Sequence, residues 1–157
     1  MNDKVRHALE TAGIEYRVHR HAELGRPISN PMDFARAIGY DAERITKTLL
    51  LRATNEKTFG LVVASTNTRI DMKQIAHLLA CKRVQLANAD ELNAVLSYPT
   101  GAVSPFGVYG VPIFMDEGLL SHPTILVGGG EAGIEIEVSP HLLVQATGAV
   151  TIPVGVL

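Results

Sequence analysis

Two apolar runs, residues 45–52 and 59–65, flank the polar segment Ala53-Thr54-Asn55-Glu56-Lys57-Thr58. Apolar runs of strand length joined by a short polar, turn-forming stretch predict a β-hairpin. Strand alternation in the first run puts Ile45, Lys47, Leu49 and Leu51 on one face and Thr46, Thr48 and Leu50 on the other. A lysine among apolar same-face neighbours is expensive unless its ammonium reaches water, a carboxylate or an anionic ligand. Lys47 is therefore either a strand residue snorkelling to solvent or a cation placed to meet an anion, and the hairpin alone leaves both open.

The remaining chain supplies elements of both kinds. Val5, Leu9 and Ala12, followed by Gly13, predict a short amphipathic helix closed by glycine, and a strand over 14–19 follows. A loop around Gly25 and Pro27 leads to a helix over 29–39, marked by Ser29 and Asn30 as caps, Pro31 in the first turn and Gly39 at the end. Asp71 caps a helix through Ala80, and residues 90–96 form another. From Tyr98 onward, Gly and Pro turns alternate with β-rich pieces at 111–115, 124–127 and 134–138. Ser139-Pro140 then starts a helix, and a last strand covers 150–152. Strands and helices that do not alternate as regular βαβ units predict an α+β fold with a mixed sheet. No repeat, low-complexity tract or linker divides the 157 residues, so one domain over 1–157 is expected.

Composition excludes several classes. Hydrophobic residues at 46% and charged residues at 19% are too apolar for a disordered chain, and no unbroken apolar run could span a membrane. A net charge of −2 argues against holding nucleic acid mainly by phosphate neutralisation, and 5% aromatic residues without tryptophan give little material for base stacking. Cys81 is the only cysteine, so no internal disulfide forms. With no secretory signal at the N-terminus, a reducing cytoplasm is the expected setting.

Polar and glycine residues in apolar settings mark two further candidates. In Pro99-Thr100-Gly101-Ala102-Val103-Ser104-Pro105-Phe106-Gly107, Gly101 admits close backbone approach while Pro105 stiffens the exit, so the loop can aim N–H groups at a carbonyl or phosphate oxygen. A plain surface turn is the simpler account. Gly128-Gly129-Gly130 lies between two predicted strands and matches neither a Walker loop nor a dinucleotide fingerprint, leaving a wide hairpin or the backbone wall of a pocket. His19 and His21 share a strand face, and His77 and Cys81 stand four apart on a helix. Neither pair has a third ligand in sequence, so no metal or cofactor is expected.

The Lys47-Thr48-Leu49-Leu50 strand, the Gly101-Ala102-Val103-Ser104-Pro105 loop with its GxxxP pattern, and the late glycine turn together resemble the YbaK and prolyl-tRNA-synthetase editing-domain family. Order and spacing match over nearly the whole chain. The resemblance implies a mixed sheet curled into a barrel-like core with flanking helices, and hydrolysis of the ester that links a wrong amino acid to tRNA. It implies that Lys47 is the essential lysine, holding the 3′-terminal adenosine and its phosphate. Thr48 would touch the aminoacyl group or ribose, and backbone amides from Gly101 to Pro105, with Ala102 and Ser104 between, would polarise the ester carbonyl. The implied partners are mischarged tRNA, through its 3′ aminoacyl-adenosine end, and a prolyl-tRNA synthetase or elongation factor that lends RNA affinity.

Substrate choice is left open by mixed signals. Cysteine-clearing members of that family commonly carry a serine where this chain has Gly128, ahead of Gly129, and a tyrosine near His21, whereas Thr48 fits the cysteine-clearing type. Replacing that serine by Gly128 is expected to enlarge the pocket wall. A non-catalytic tRNA- or synthetase-binding module of the same fold, and a hydrolase of small esters, remain alternatives.

Overall fold

Residues 1–156 are described in this computed structural model. Helix α1 (Asp3–Ala12) starts where the Asn2 side chain accepts the Lys4 N–H, and it buries Val5 and Leu9. Strand β1 (Arg17–Arg20) and a single 3-10 turn at His21–Glu23 lead to α2 (Pro31–Ile38), capped by Asn30 with Pro31 in its first turn. The expected hairpin is β2 (Thr46–Ala53) and β3 (Phe59–Ser65), antiparallel with Lys47 opposite Ala64. Helix α3 (Met72–Leu78) begins at the Asp71 cap and stops two residues before the expected Ala80, which has a positive φ of 53°.

Strand β4 (Val84–Leu86) has no counterpart among the sequence expectations, because three residues with a central glutamine are too few to show alternation. It is followed by α4 (Ala89–Leu96), whose Asn88 and Glu91 form a reciprocal capping box. Strands β5 (Ile113–Asp116), β6 (Ile125–Gly128) and β7 (Ile134–Val138) occupy the three β-rich pieces. Helix α5 (Pro140–Thr147) and strand β8 (Val150–Ile152) complete the chain.

The strands form a mixed five-stranded sheet, β4-β2-β3-β5-β8, and an antiparallel three-stranded sheet, β1-β7-β6. In the larger sheet, β2 pairs antiparallel with β3 and β4, while β3-β5 and β5-β8 are parallel. The two sheets meet at a bridge between Ile45 and Leu126, so the layers curl around a shared interior in the expected barrel-like way without closing. Leu50, Leu61, Val63, Ile113 and Met115 from one sheet and Ile125, Val127, Ile136 and Val138 from the other fill that interior, with Tyr98 and Phe106. Side chains on the opposite face of β2 and β3, Leu49, Leu51, Val62 and Ala64, pack instead with Ile75 of α3. The alternation read from the sequence is thus the alternation of the fold: Leu50 points to the interior, and Lys47 lies on the face of Leu49 and Leu51.

Candidate active site

Strand β2 is paired with β3 along one whole edge, but its other edge is divided between two neighbours. Near its start it meets β6, where the Thr46 hydroxyl donates to the Leu126 carbonyl at 2.7 Å. Near its end it meets β4, and the Ala87 N–H reaches the Leu50 carbonyl at 2.9 Å. Backbone groups two residues apart face the same edge of a strand, so the Thr48 amide and carbonyl lie in the gap between these contacts. A cavity of about 590 Å³ opens there, lined by Thr46, Lys47, Thr48 and Leu49 on one side and by Gly101, Val103, Gly128 and Glu135 on the other. That volume falls in the range of small-ligand sites, about 300–1,000 Å³.

The Lys47 ammonium donates to the backbone carbonyls of Thr66, at 3.4 Å, and Thr68 in the connection from β3 to α3. Burial pulls its pKa below the ordinary lysine value. An ammonium has three donors, so two carbonyls fix it at the cavity and leave one donor for an anion. Beside it, the Thr48 hydroxyl oxygen is buried with no hydrogen-bond partner among the described residues.

Loop 101–105 contributes backbone. Gly101 has φ +80° with open space around a would-be Cβ, so conformation, not crowding, selects glycine there. The Ala102 N–H is committed to the Pro99 carbonyl at 3.1 Å, and Pro105 has no N–H. Gly101 and Val103 both line the cavity, and their amides are the ones the loop can offer. Ala102, Ser104 and Pro105 are buried behind it; the Ser104 hydroxyl accepts the Phe106 N–H at 3.2 Å, and Pro105 borders a separate cavity beside α1 and α5.

The glycine turn is a β6-β7 hairpin with Gly128 opposite Glu135. A Cβ at Gly128 would lie 2.3 Å from the Val103 carbonyl oxygen, and one at Gly129 would lie 2.6 Å from Ile134. Gly128 therefore does not enlarge the pocket wall as expected from the sequence, because the loop backbone already fills the place of a side chain. The fold brings His21, Lys47, Thr48, Gly101 and Gly128 together around one cavity, with Ala102, Ser104, Pro105 and Gly129 packing behind it.

Glu135 also lines the cavity and is absent from the sequence reading. Its carboxyl faces His21, with Nε2 and Oε1 3.7 Å apart, too far for a hydrogen bond, and burial pushes its pKa up to about 7. His21 Nε2 is itself buried without a partner, burial lowers its pKa, and its ring packs against Phe34 at 4.8 Å. Two residues along β7, Glu137 is bound by His19 at 2.8 Å, Thr124 at 2.7 Å and Tyr40 at 3.2 Å, and Arg44 donates to Tyr40 and Thr124. Among the described residues no group of three His, Cys, Asp or Glu side chains gathers as a metal site, and no helix is long and apolar enough to cross a membrane.

A relative from Enterococcus faecalis, assigned as a Cys-tRNA(Pro)/Cys-tRNA(Cys) deacylase, EbsC, is 30% identical over 72% of this chain and 69% of its own length. The prolyl-tRNA editing protein ProX of Acetoanaerobium sticklandii is 30% identical over 55% of this chain and 56% of its own. A proline–tRNA ligase from Shouchella clausii is 29% identical over 63% of this chain, which spans only 17% of that enzyme. Among solved structures, a crystal structure of a hypothetical protein superposes with a TM-score of 0.85 at 28% identity, covering 98% of this chain and all of the other. Another, assigned as a trans-editing enzyme for prolyl tRNA synthetase, shares the fold with a TM-score of 0.82 at 23% identity, covering 100% of this chain and 99% of its own. Residues 26–146, which include every cavity-lining residue described above except His21, match the aminoacyl-tRNA editing domain, and the chain belongs to that family.

Proposed function

We propose that this chain acts in trans to hydrolyse the ester of mischarged tRNA, with tRNA for proline carrying cysteine, alanine or a similarly small amino acid as substrate. Membership of the editing family makes it an aminoacyl-tRNA deacylase. The names of EbsC and ProX support the choice of tRNA and of a small aminoacyl group. The observation that carries the reading is the Lys47 ammonium, held by the Thr66 and Thr68 carbonyls in the same cavity as the Gly101 and Val103 backbone.

Ester hydrolysis develops negative charge on the carbonyl oxygen, and preorganised donors lower that barrier without a protein nucleophile. Amides of Gly101 and Val103 would polarise the carbonyl, and Lys47 would hold the 3′-terminal phosphate and adenosine so that the ester lies against them. A lysine kept charged by a phosphate and two carbonyls is a poor base. The attacking group is then water, or the thiol of a cysteinyl substrate, assisted by the terminal ribose hydroxyl. An enzyme of this kind is needed because a synthetase pocket rejects a slightly smaller side chain by only about 1–3 kcal/mol.

The net charge of −2 leaves RNA affinity to a few local contacts, supported by a prolyl-tRNA synthetase or elongation factor. Purified protein incubated with alanyl-, seryl- and cysteinyl-tRNA for proline should release the amino acid, and faster than from free aminoacyl esters. No release from any charged tRNA would leave a binding module, and equal rates on free esters would leave a small-ester hydrolase.

A further inference from the structure

Resting on the deacylase reading, we infer that Glu135 receives the free α-ammonium of the aminoacyl group, so that the cavity accepts aminoacyl-tRNA and refuses N-acylated or peptidyl-tRNA. Among the described residues, Lys47 and Glu135 are the only lysine, arginine, aspartate or glutamate side chains lining the cavity. No ion pair joins them among the described residues: the ammonium is held by the Thr66 and Thr68 carbonyls, and the carboxyl faces the His21 imidazole at 3.7 Å. One cavity thus holds a cation with one donor left free and a carboxyl that accepts no hydrogen bond among the described residues. A 3′ aminoacyl-adenosine end carries the complementary pair, a phosphate and an α-ammonium.

The hairpin register sets the order of these groups. Glu135 lies opposite Gly128, and Gly128 packs directly on the Val103 carbonyl, in the loop whose amides face the ester. The α-carbon is one bond from the ester carbonyl carbon, so an ester seated at Gly101 and Val103 has its ammonium within that neighbourhood, and the inference places it on the β7 side, next to Glu135. His21 does not satisfy this carboxyl, since burial keeps the imidazole toward its neutral form and its Nε2 is beyond hydrogen-bond reach. Side-chain solvent exposure of 23% leaves Glu135 mostly buried yet reachable from the cavity, a setting that strengthens its hold on an arriving cation. An N-acyl group would instead remove the charge, leave at most a neutral amide N–H for the carboxylate, and add bulk and a carbonyl oxygen beside it.

The test compares kcat/KM on alanyl- and seryl-tRNA for proline with that on their N-acetyl forms, each divided by the uncatalysed rate of the same ester, for wild type, Glu135→Gln, Glu135→Ala and Lys47→Ala. Wild type should lose about tenfold or more on N-acetylation, the size of a charge-assisted hydrogen bond. Both Glu135 variants should lose about as much on the free-amine substrate and treat the two forms nearly alike. Thermal melts of the near-isosteric Glu135→Gln variant confirm that it is folded. Equal wild-type rates on both forms, or variants that keep the discrimination, overturn the inference and leave the deacylase reading intact. A changed seryl-to-alanyl ratio with unchanged N-acetyl discrimination also overturns it, making Glu135 a reader of the side chain. No turnover of any free aminoacyl-tRNA by wild type sinks the deacylase reading and this inference together.

Discussion

Glu135 and Glu137 stand two residues apart on the same face of β7, yet they occupy opposite kinds of polar environment. Although burial alone would raise it, Glu137 is held below the ordinary carboxylate pKa by hydrogen bonds from Thr124, His19 and Tyr40. Arg44 closes that network by donating to the Thr124 carbonyl at 2.8 Å and stacking on the Tyr40 ring. Glu135 has none of these partners, and burial alone raises it. A buried polar group whose bonds are all made belongs to the architecture, and one left waiting next to a cavity marks where a ligand completes the structure. The unpartnered His21 nitrogen and Thr48 hydroxyl fall on the waiting side.

The strongest way to break this contrast is Glu137→Ala. It strands the Thr124 and Tyr40 hydroxyls and the His19 imidazole around a missing acceptor, and chemical denaturation should show a loss of about 3 kcal/mol. A loss below about 1 kcal/mol would mean the network holds little. Gly128→Ser comes next, at about 1–3 kcal/mol, because its Cβ meets the Val103 carbonyl; deacylation should fall with it as loop 101–105 is displaced. A fully active, equally stable Gly128→Ser protein would show that the loop yields freely.

The third change should act in the opposite direction. A carboxyl whose folded pKa is about 7 against a reference of 4.5 contributes stability that is fully present below pH 4.5 and lost as pH rises through about 7. Glu135→Gln should therefore match wild type in acid and exceed it at alkaline pH by on the order of 3 kcal/mol, a gap opening between pH 4.5 and 7. Glu137 has the reverse sign: its contribution is present above the ordinary carboxylate value and lost only as pH falls through its depressed one, so a Glu137→Gln deficit should shrink only in acid. Parallel pH profiles for the two variants would erase the distinction. Smallest of all is Thr48→Val, which removes an unpartnered buried hydroxyl and should leave stability within about 0.5 kcal/mol of wild type. A larger loss would reveal a bond to an ordered water.

How much of this was legible in the sequence follows the same division. Caps and turns act through adjacent residues, so Asn30-Pro31, Asp71 and Ser139-Pro140 announced their helices, and the polar segment at 53–58 announced the hairpin. Lys47 and Thr48 stood out as polar residues in an apolar strand. Glu135 did not, because Ile134-Glu135-Ile136-Glu137-Val138 predicts only that two glutamates share a face. What separates them arrives from elsewhere in the chain: Tyr40, Arg44 and Thr124 at one, His21 and the open cavity at the other. Likewise, the close approach of Gly128 to Val103 depends on two segments meeting in space, so the glycine read as extra room. The parallel pairs β3-β5 and β5-β8 join distant segments that no local pattern identifies.

The central claim is that Lys47 anchors the 3′ end of a charged tRNA against the 101–105 loop. Its most direct test is single-turnover deacylation of alanyl-, seryl- and cysteinyl-tRNA for proline by wild type and Lys47→Ala, with thermal melts of both. Wild type should clear at least one of them, and the variant should lose at least about 100-fold in rate with its fold intact. A folded Lys47→Ala protein that deacylates at the wild-type rate would contradict the account.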